Sequence, residues 1–536
     1  MRRDVGALAS TRFDLLVIGG GIVGACIARD AALRGLRVAL IERGDFASGA
    51  SWNSLKTVHG GLRSLQHFDL VRMREYIGDR SAWLRTAPHL VHLLPVVVPT
   101  FGLGPQGRPA LRVALAVNDL IAADRNRGVP VDRRLPGGRL LSRRECIELV
   151  PDFEASSITG GAYFHDGQMY AAERLVVEVV SSAVEGGAVA ANYVEAIGPL
   201  RRTAQGMIVP AVDATGELPL EIHADAVVNA TGSASHVVAE RLTGLSASRQ
   251  ASYSVALNIM VPGMGHRVAF AASERSSGRR GRGANARNLF VVPWRERTII
   301  GTAHFHHQGD PACFRVDEAH VAEFLAEAER ALPTRNLSAE QLVLVHGGLL
   351  PSAPTNGKED VTLLRRQVIA DHAVQGLERF VSVSSVRFTT ARRLAERVVD
   401  TMMRKLGRTF APSRTAEMPL PGAPTGRTMT ELLDDALHKH ASSLPASVVE
   451  HLVRSYGARY ERVLARRTTL PGWDRQVVDG APVIVAQLAH GVEEEMAVRP
   501  EDLLQRRTEL GPRGLVTDEA RALAMEILAR RQHAPA

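Results

Sequence analysis

Between Ser51 and Gln66 the chain reads SWNSLKTVHGGLRSLQ, which sets Lys56, His59, Gly60, Gly61 and Arg63 within a few positions of one another. Two cations and an imidazole around a glycine pair suit an electron-rich ligand. The glycines would let the backbone come close, and the charged groups would offset negative charge developing on it. Upstream, Gly19, Gly21 and Gly24 stand in a GxGxxG spacing, followed by an acid, Glu42. That combination suits a phosphate cradle and a partner for a sugar diol.

These residues need a frame. Leu15 to Ile18 form a continuous apolar run, as in a strand covered on both faces. Ala25 to Leu33 read as an Ala-rich helix closed by Gly35, and Val38 to Ile41 as a second strand with Glu42 at its end. A strand, glycine turn and helix place a pyrophosphate at the helix N-terminus, with Glu42 accepting hydrogen bonds from a ribose diol. Glu42 would repel the extra phosphate of NADP, but it does not separate NAD from FAD. DAVVNATGSAS, residues 225 to 235, is a further apolar strand ending in Ala230, Thr231 and Gly232. GGAVAANYVEAIG, residues 186 to 198, reads as the strand before it, with Val194 able to lie against an adenine. The order of these pieces favours FAD.

Bulk properties narrow the class. The 536 residues, 45% of them hydrophobic, suffice for two or three domains. The net charge of +8 is a modest excess for this length, compatible with a solvated basic surface or with anionic lipid or substrate. No clustering of basic and aromatic residues points to nucleic acid. Cys26, Cys146 and Cys313 fit no disulfide or zinc spacing, so a reducing compartment is expected. No apolar run is long enough to span a bilayer. His304 and His306 in AHFHHQGD share a strand face but lack a completing acid or thiol, so no metal is expected; His304 is a candidate for facing substrate.

The motifs VIGGGIVGACIARDAALRGLRVALIERGDFASGAS, SLKTVHGGLRSLQ, GGAYFHDGQMYAAERL, VVNATG, VVPWRERTIIGTAHFHHQGDP and FTTARRLAE resemble the FAD-dependent glycerol-3-phosphate dehydrogenase/oxidase family, within the D-amino-acid-oxidase-like superfamily. HGVEEEMAVRPEDLLQRRTEL, residues 490 to 510, resembles that family's helical cap. The resemblance implies FAD held by Gly19, Gly21, Gly24, Glu42, Arg43, Ser48, Lys56, His59, Gly60, Gly61, Val194, Ala230, Thr231, Gly232 and Thr389. It implies an active-site side formed by His59, Arg63, Arg365 and Arg387. Four positions depart from better-known members: Leu350 replaces a phosphate-binding arginine, Arg387 a lysine, and Ala391 and Ser64 tyrosines. Arg387 keeps the charge and could grip an anion bidentately.

The expected fold is α/β: a Rossmann-like FAD-binding domain, an interleaved substrate domain with an antiparallel sheet, and a C-terminal helical domain. The FAD-binding domain is expected over 10–90, 150–245 and 345–405, and the substrate domain over 91–149 and 246–344. A Pro/Gly-rich linker follows at 418–426, then the helical domain at 427–536. Residues 288 to 305 read as two β-rich runs joined by a polar turn at Arg295 to Arg297. Val448, Leu452, Tyr456, Tyr460 and Leu464 describe one apolar helix face. Residues 273 to 288, with five arginines, read as a surface loop or a membrane or quinone contact. The expected reaction oxidises the secondary alcohol of sn-glycerol 3-phosphate to dihydroxyacetone phosphate, with a base or water taking the hydroxyl proton. The partners are a small anionic hydroxy substrate and quinone or oxygen as electron acceptor, with a membrane surface and a second copy of the chain as further candidates. Localisation is expected in the cytoplasm, with peripheral attachment to the inner face of the cell membrane as a variant. The alternatives are a related flavoenzyme acting on another anionic hydroxy compound or amine, and a redox-silent flavin-binding module.

Overall fold

The computed structural model describes residues 1–61, 69–102, 107–154, 157–245, 252–273, 288–353, 361, 363–364, 366–409 and 411–532. Arg63, Ser64 and Arg365 lie outside the described residues, as does nearly all of the arginine-rich stretch from 273 to 288.

The strands Arg12–Ile18, Val38–Glu42, Val189–Asn192, Leu218–Asn229 and Phe380–Ser384 form a parallel array. Val368–Asp371 adds an antiparallel edge. Ile18 is in register with Ile41 and with Asn229, so Gly19, Glu42 and Ala230 emerge together at the carboxyl edge of the sheet. That edge is where open α/β sheets bind their ligands. The expected apolar runs are there, buried along almost their whole length. On one face lie the helices Ile22–Leu33, Ala172–Glu185 and Ala391–Lys405. Ala25, Ala28 and Ala31 bring the first of these close to the sheet, since a methyl group leaves room that a longer side chain would fill. The opposite face carries the antiparallel strand Gly206–Asp213, paired with the long strand Leu218–Asn229 and with Val194–Ala196.

The run from 186 to 198, read as one strand, is two. Tyr193 has φ of +56° between Val189–Asn192 and Val194–Ala196, and this left-handed residue turns the chain from the parallel array into the antiparallel layer.

A second, largely antiparallel sheet contains Val91–Thr100, Gly160–Met169, Tyr253–Pro262, Ala269–Ala272, Leu289–Trp294, Arg297–His307 and Leu344–Pro351. The expected hairpin is present, with Trp294 paired to Arg297 and Arg295 turning at φ of +53°. Gly160–Met169 and Leu344–Pro351 fall within segments assigned to the FAD-binding domain from the sequence. They hydrogen-bond into this second sheet, through Val91–Thr100 and Tyr253–Pro262 respectively.

The segment 418–426 carries neither helix nor strand. Beyond it the helices Met429–His440, Ala446–Tyr456, Tyr460–Leu464, Val485–Glu494 and Asp518–Gln532 form the C-terminal domain. Val448, Leu452, Tyr456, Tyr460 and Leu464 all enter one core cluster, but from two helices rather than one. Gly457 breaks the helix at φ of +55°, where it passes so close to the carbonyl of Gly422 that a Cβ would sit 1.8 Å from that oxygen. Among the described residues no helix is long and apolar enough to cross a membrane.

Candidate active site

A cavity of about 510 Å³ opens at the carboxyl edge of the parallel array and runs under the second sheet. At one end lies the glycine turn. A Cβ on Gly24 would sit 1.8 Å from the Gly19 carbonyl oxygen, and one on Gly19 would sit 2.6 Å from that of Ala230. Both glycines are fixed by backbone packing. Gly21 differs: the nearest protein atom to its Cβ position is Ser51 Oγ at 3.0 Å, and the residue lines the cavity. Gly21 is the N-cap of the helix Ile22–Leu33 and supplies no capping side chain, so the first-turn amides face an anion site. The Ile22 amide already donates to Ser51 Oγ at 3.0 Å.

Glu42 accepts from the amides of Gly20 at 2.7 Å and Gly44 at 2.8 Å. Burial raises its pKa against the pull of those two amides. A buried carboxylate in this state gains from further donors, which is what a ribose diol supplies. Arg43, Ser48, Val194, Ala230, Thr231 and Gly232 line the same end of the cavity. The size, the glycine at the helix N-cap on the cavity wall and the carboxylate all fit a dinucleotide.

The segment from 56 to 61 is placed differently from its sequence reading. Lys56 does not line the cavity. It is fully buried, at φ of +55°, and its Nζ lies 3.1 Å from Glu173 Oε2. The glycine pair makes room for protein. A Cβ on Gly60 would fall 2.3 Å from Arg80 Nη1, and one on Gly61 2.7 Å from the Tyr76 ring. Arg80 is held by Asp166 at 2.6 Å, and the same carboxylate accepts the Gly60 amide at 2.7 Å. Thr389 is buried and tied to this segment, its Oγ1 accepting the His59 amide at 3.3 Å.

His59 packs against Tyr76, with ring centroids 4.5 Å apart, and the Arg387 guanidinium lies 5.7 Å from the centre of the same ring. Burial lowers the His59 pKa; Asp166 opposes this, and Arg387, Arg80 and Arg72 reinforce it. Its imidazole is therefore neutral near pH 7 and able to accept a proton. Arg387 lines the cavity.

The far wall is one face of the second sheet. Ala256, Asn258, Thr302, His304, Gly348 and Leu350 line it. Strand alternation brings them together, because Ala256 is in register with both His304 and Gly348, and Ser254 with Leu350. Asn258 Oδ1 accepts from Thr302 Oγ1 at 2.7 Å, and His304 Nδ1 is hydrogen-bonded to Ser254 Oγ at 2.9 Å. Asn258, Thr302, Ser51 and Tyr76 were absent from the sequence reading. The apolar alternation of Tyr253–Pro262 and Arg297–His307 carried a signal for the first two; nothing local marked the others. Ala391 is fully buried in the core beneath the parallel array and does not line the cavity.

Comparison with known proteins agrees with this geometry. Residues 14–401 match the family model described as FAD dependent oxidoreductase. Residues 413–532 match the C-terminal domain of alpha-glycerophosphate oxidase. The chain is 30% identical over 535 residues to a glycerol-3-phosphate dehydrogenase of Synechocystis sp., covering 94% of this chain and 90% of that one. It is 30% identical over 548 residues to glycerol-3-phosphate dehydrogenase 1 of Mycobacterium bovis, covering 98% and 97%. Its fold is shared with the crystal structure of the glycerol-3-phosphate dehydrogenase from Bacillus halodurans complexed with FAD, at a TM-score of 0.70 and 23% identity over 99% of this chain and 96% of that one.

Proposed function

The chain belongs to the FAD-dependent oxidoreductase family, and from that premise we propose that it oxidises the secondary alcohol of sn-glycerol 3-phosphate to dihydroxyacetone phosphate, with quinone or oxygen as the final electron acceptor. The observation that carries the reading is the continuity of one cavity, from Gly21 and Glu42 to Thr302, His304 and Arg387. A dinucleotide lying along it has its redox-active end beside polar groups able to hold a small hydroxy compound.

FAD, held by the glycine turn and Glu42, would supply the acceptor for the hydride of the alcohol carbon. The residues of this chain do the rest. Neutral His59, which packs beside Arg387 through Tyr76 but does not itself line the cavity, accepts the hydroxyl proton through a water. Arg387 holds the anionic group of the substrate and is itself oriented by Tyr76. Asn258 and Thr302 fix each other on the opposite wall and offer hydrogen bonds to the substrate hydroxyls. The substrate-binding unit corresponds to the second sheet, and the discontinuous FAD-binding unit to the parallel array with its helices.

Leu350 favours a second reading. It places an apolar side chain on the cavity wall where the family resemblance implies a phosphate-binding arginine. That suits another anionic hydroxy compound with a smaller or differently placed charge. A steady-state assay with a soluble quinone separates the two. Formation of dihydroxyacetone phosphate, lost in Arg387→Ala, supports glycerol 3-phosphate. Turnover of other hydroxy acids with none of glycerol 3-phosphate supports the alternative.

A further inference from the structure

We propose that the C-terminal helical domain holds in place Glu42, the carboxylate that meets the cofactor's ribose, with Arg507 and Tyr193 acting as positioning residues for the adenosine half of FAD. Glu42, Arg43, Gly44 and Asp45 form one short turn at the end of the strand Val38–Glu42. Glu42 faces the cavity, whereas Asp45 points away from it and is 1% exposed. Arg507, from the other end of the chain, grips Asp45 with both terminal nitrogens at 2.8 Å. Arg506 Nε reaches the same carboxylate at 2.6 Å. Burial alone would raise the Asp45 pKa, but Arg507 and then Arg506 hold it below the ordinary carboxylate value.

A second tether runs beside the first. The Tyr193 amide donates to the carbonyl of Gly44 at 2.9 Å, and the Gly44 amide is one of the two that Glu42 accepts. Tyr193 Oη is 2.7 Å from Asp502 Oδ1, which lies in the helical turn Asp502–Arg507. Asn192 Nδ2 bridges Asp45 Oδ1 at 2.9 Å and the Met496 carbonyl at 2.8 Å. Val194, on the adenine side of the cavity, is the next residue after Tyr193. Glu42 and Val194, two of the residues lining that end of the cavity, are thus three residues and one residue from a buried contact with the segment from 496 to 507.

The charges in this cluster balance. Arg174, Arg506 and Arg507 meet Asp45, Glu495 and Asp502. Removing one partner leaves another buried charge uncompensated, and the turn must shift to solvate it. A domain docked for stability alone needs no such contact at the cofactor turn. The ion pair of Arg459 with Glu185 joins the same two parts of the molecule without bonding to that turn.

The inference rests on FAD occupying the cavity, not on the identity of the substrate. The test titrates flavin-free full-length protein with FAD, following flavin fluorescence, and records thermal midpoints with and without FAD. Arg507→Met should weaken the FAD dissociation constant more than tenfold, and Tyr193→Phe about tenfold, the lower end of the loss expected of a hydrogen bond to a charged carboxylate. Arg459→Gln should leave it unchanged. The FAD-induced rise in midpoint should shrink in step with affinity. Folded variants at 193 and 507 with wild-type affinity, whose midpoints fall equally with and without FAD, would overturn the proposal. So would an equal loss of affinity in Arg459→Gln. If Arg507→Met does not fold, Tyr193→Phe decides alone. Failure of the wild type to bind FAD at all would count against the cavity as the FAD site instead.

Discussion

At Gly21 a methyl group decides between a cofactor site and a glycine-rich turn. A Cβ there would meet Ser51 Oγ at 3.0 Å, so a side chain must displace that hydroxyl as well as any bound pyrophosphate. Gly21→Val should fold once Ser51 shifts, with a thermal midpoint in the absence of flavin modestly below that of wild type, but purify without flavin colour; retention of full flavin absorbance would refute this placement. Burial lowers the pKa of His59, so in its proposed role as proton acceptor it fails only when pH falls through that lowered value. The acid limb of kcat/KM should therefore lie below the ordinary histidine value of about 6.5, and it should vanish in His59→Asn. Leu350→Arg adds a charge-assisted contact of about 1.5–3 kcal/mol if the guanidinium reaches the substrate phosphate. Affinity for glycerol 3-phosphate should rise about ten- to 150-fold, with Leu350→Met as the volume-matched control. Titration by flavin spectral change checks it; an unimproved, folded arginine variant would show that position 350 does not face the phosphate. The glycine turn, Glu42 and the Ala230–Gly232 turn were legible because their chemistry lies in backbone conformation and short spacing. The role of Lys56 was not, since its partner, Glu173, is more than a hundred residues away.

At the scale of elements, sequence period predicted existence better than extent. The buried runs at Leu15–Ile18 and Val38–Ile41 became strands because both faces of the sheet are covered. The four-residue rhythm from Val448 to Leu464 survived as packing but was cut by Gly457, whose reason is a backbone contact with distant Gly422. The segment around Gly60 and Gly61 gives the same lesson. Its glycines were rightly singled out, yet they admit Arg80 and Tyr76 of the helix Leu70–Thr86. Gly61→Ala would put a Cβ at φ of +72° and against the Tyr76 ring. Left-handed strain and overpacking together predict a loss of about 2–4 kcal/mol. Gly60→Ala should displace Arg80 from Asp166 and also lower stability. Denaturant unfolding checks both, and wild-type midpoints would show that the helix can retreat without cost.

For the whole molecule, the buried arginine–carboxylate contacts between the C-terminal domain and the two sheets with their helices set the response to acid. Asp45, Glu495 and Glu509 all have lowered pKa values despite burial, Asp45 held by Arg507 and Arg506, Glu495 by Arg174, Glu509 by Arg295. A depressed native value contributes stability above the ordinary carboxylate pKa of about 4, and that contribution is lost as pH falls through the native value. Thermal midpoints should drop steeply below about pH 4. Asp45→Asn should start lower at neutral pH and show a shallower acid decline; parallel pH profiles would contradict this. That a helical domain follows the α/β part was legible in the sequence, but this cluster was not, because its acidic and basic members come together from segments hundreds of residues apart. The same long-range assembly joins Glu42 and Gly21 to His304 and Arg387 in one cavity, and on that continuity the functional account depends. The most direct test is anaerobic addition of sn-glycerol 3-phosphate to the FAD-loaded protein, with the visible flavin absorbance recorded. The account predicts bleaching, with dihydroxyacetone phosphate formed in proportion to FAD. Flavin that dithionite reduces, but that neither glycerol 3-phosphate nor any other small anionic hydroxy compound bleaches, would contradict it.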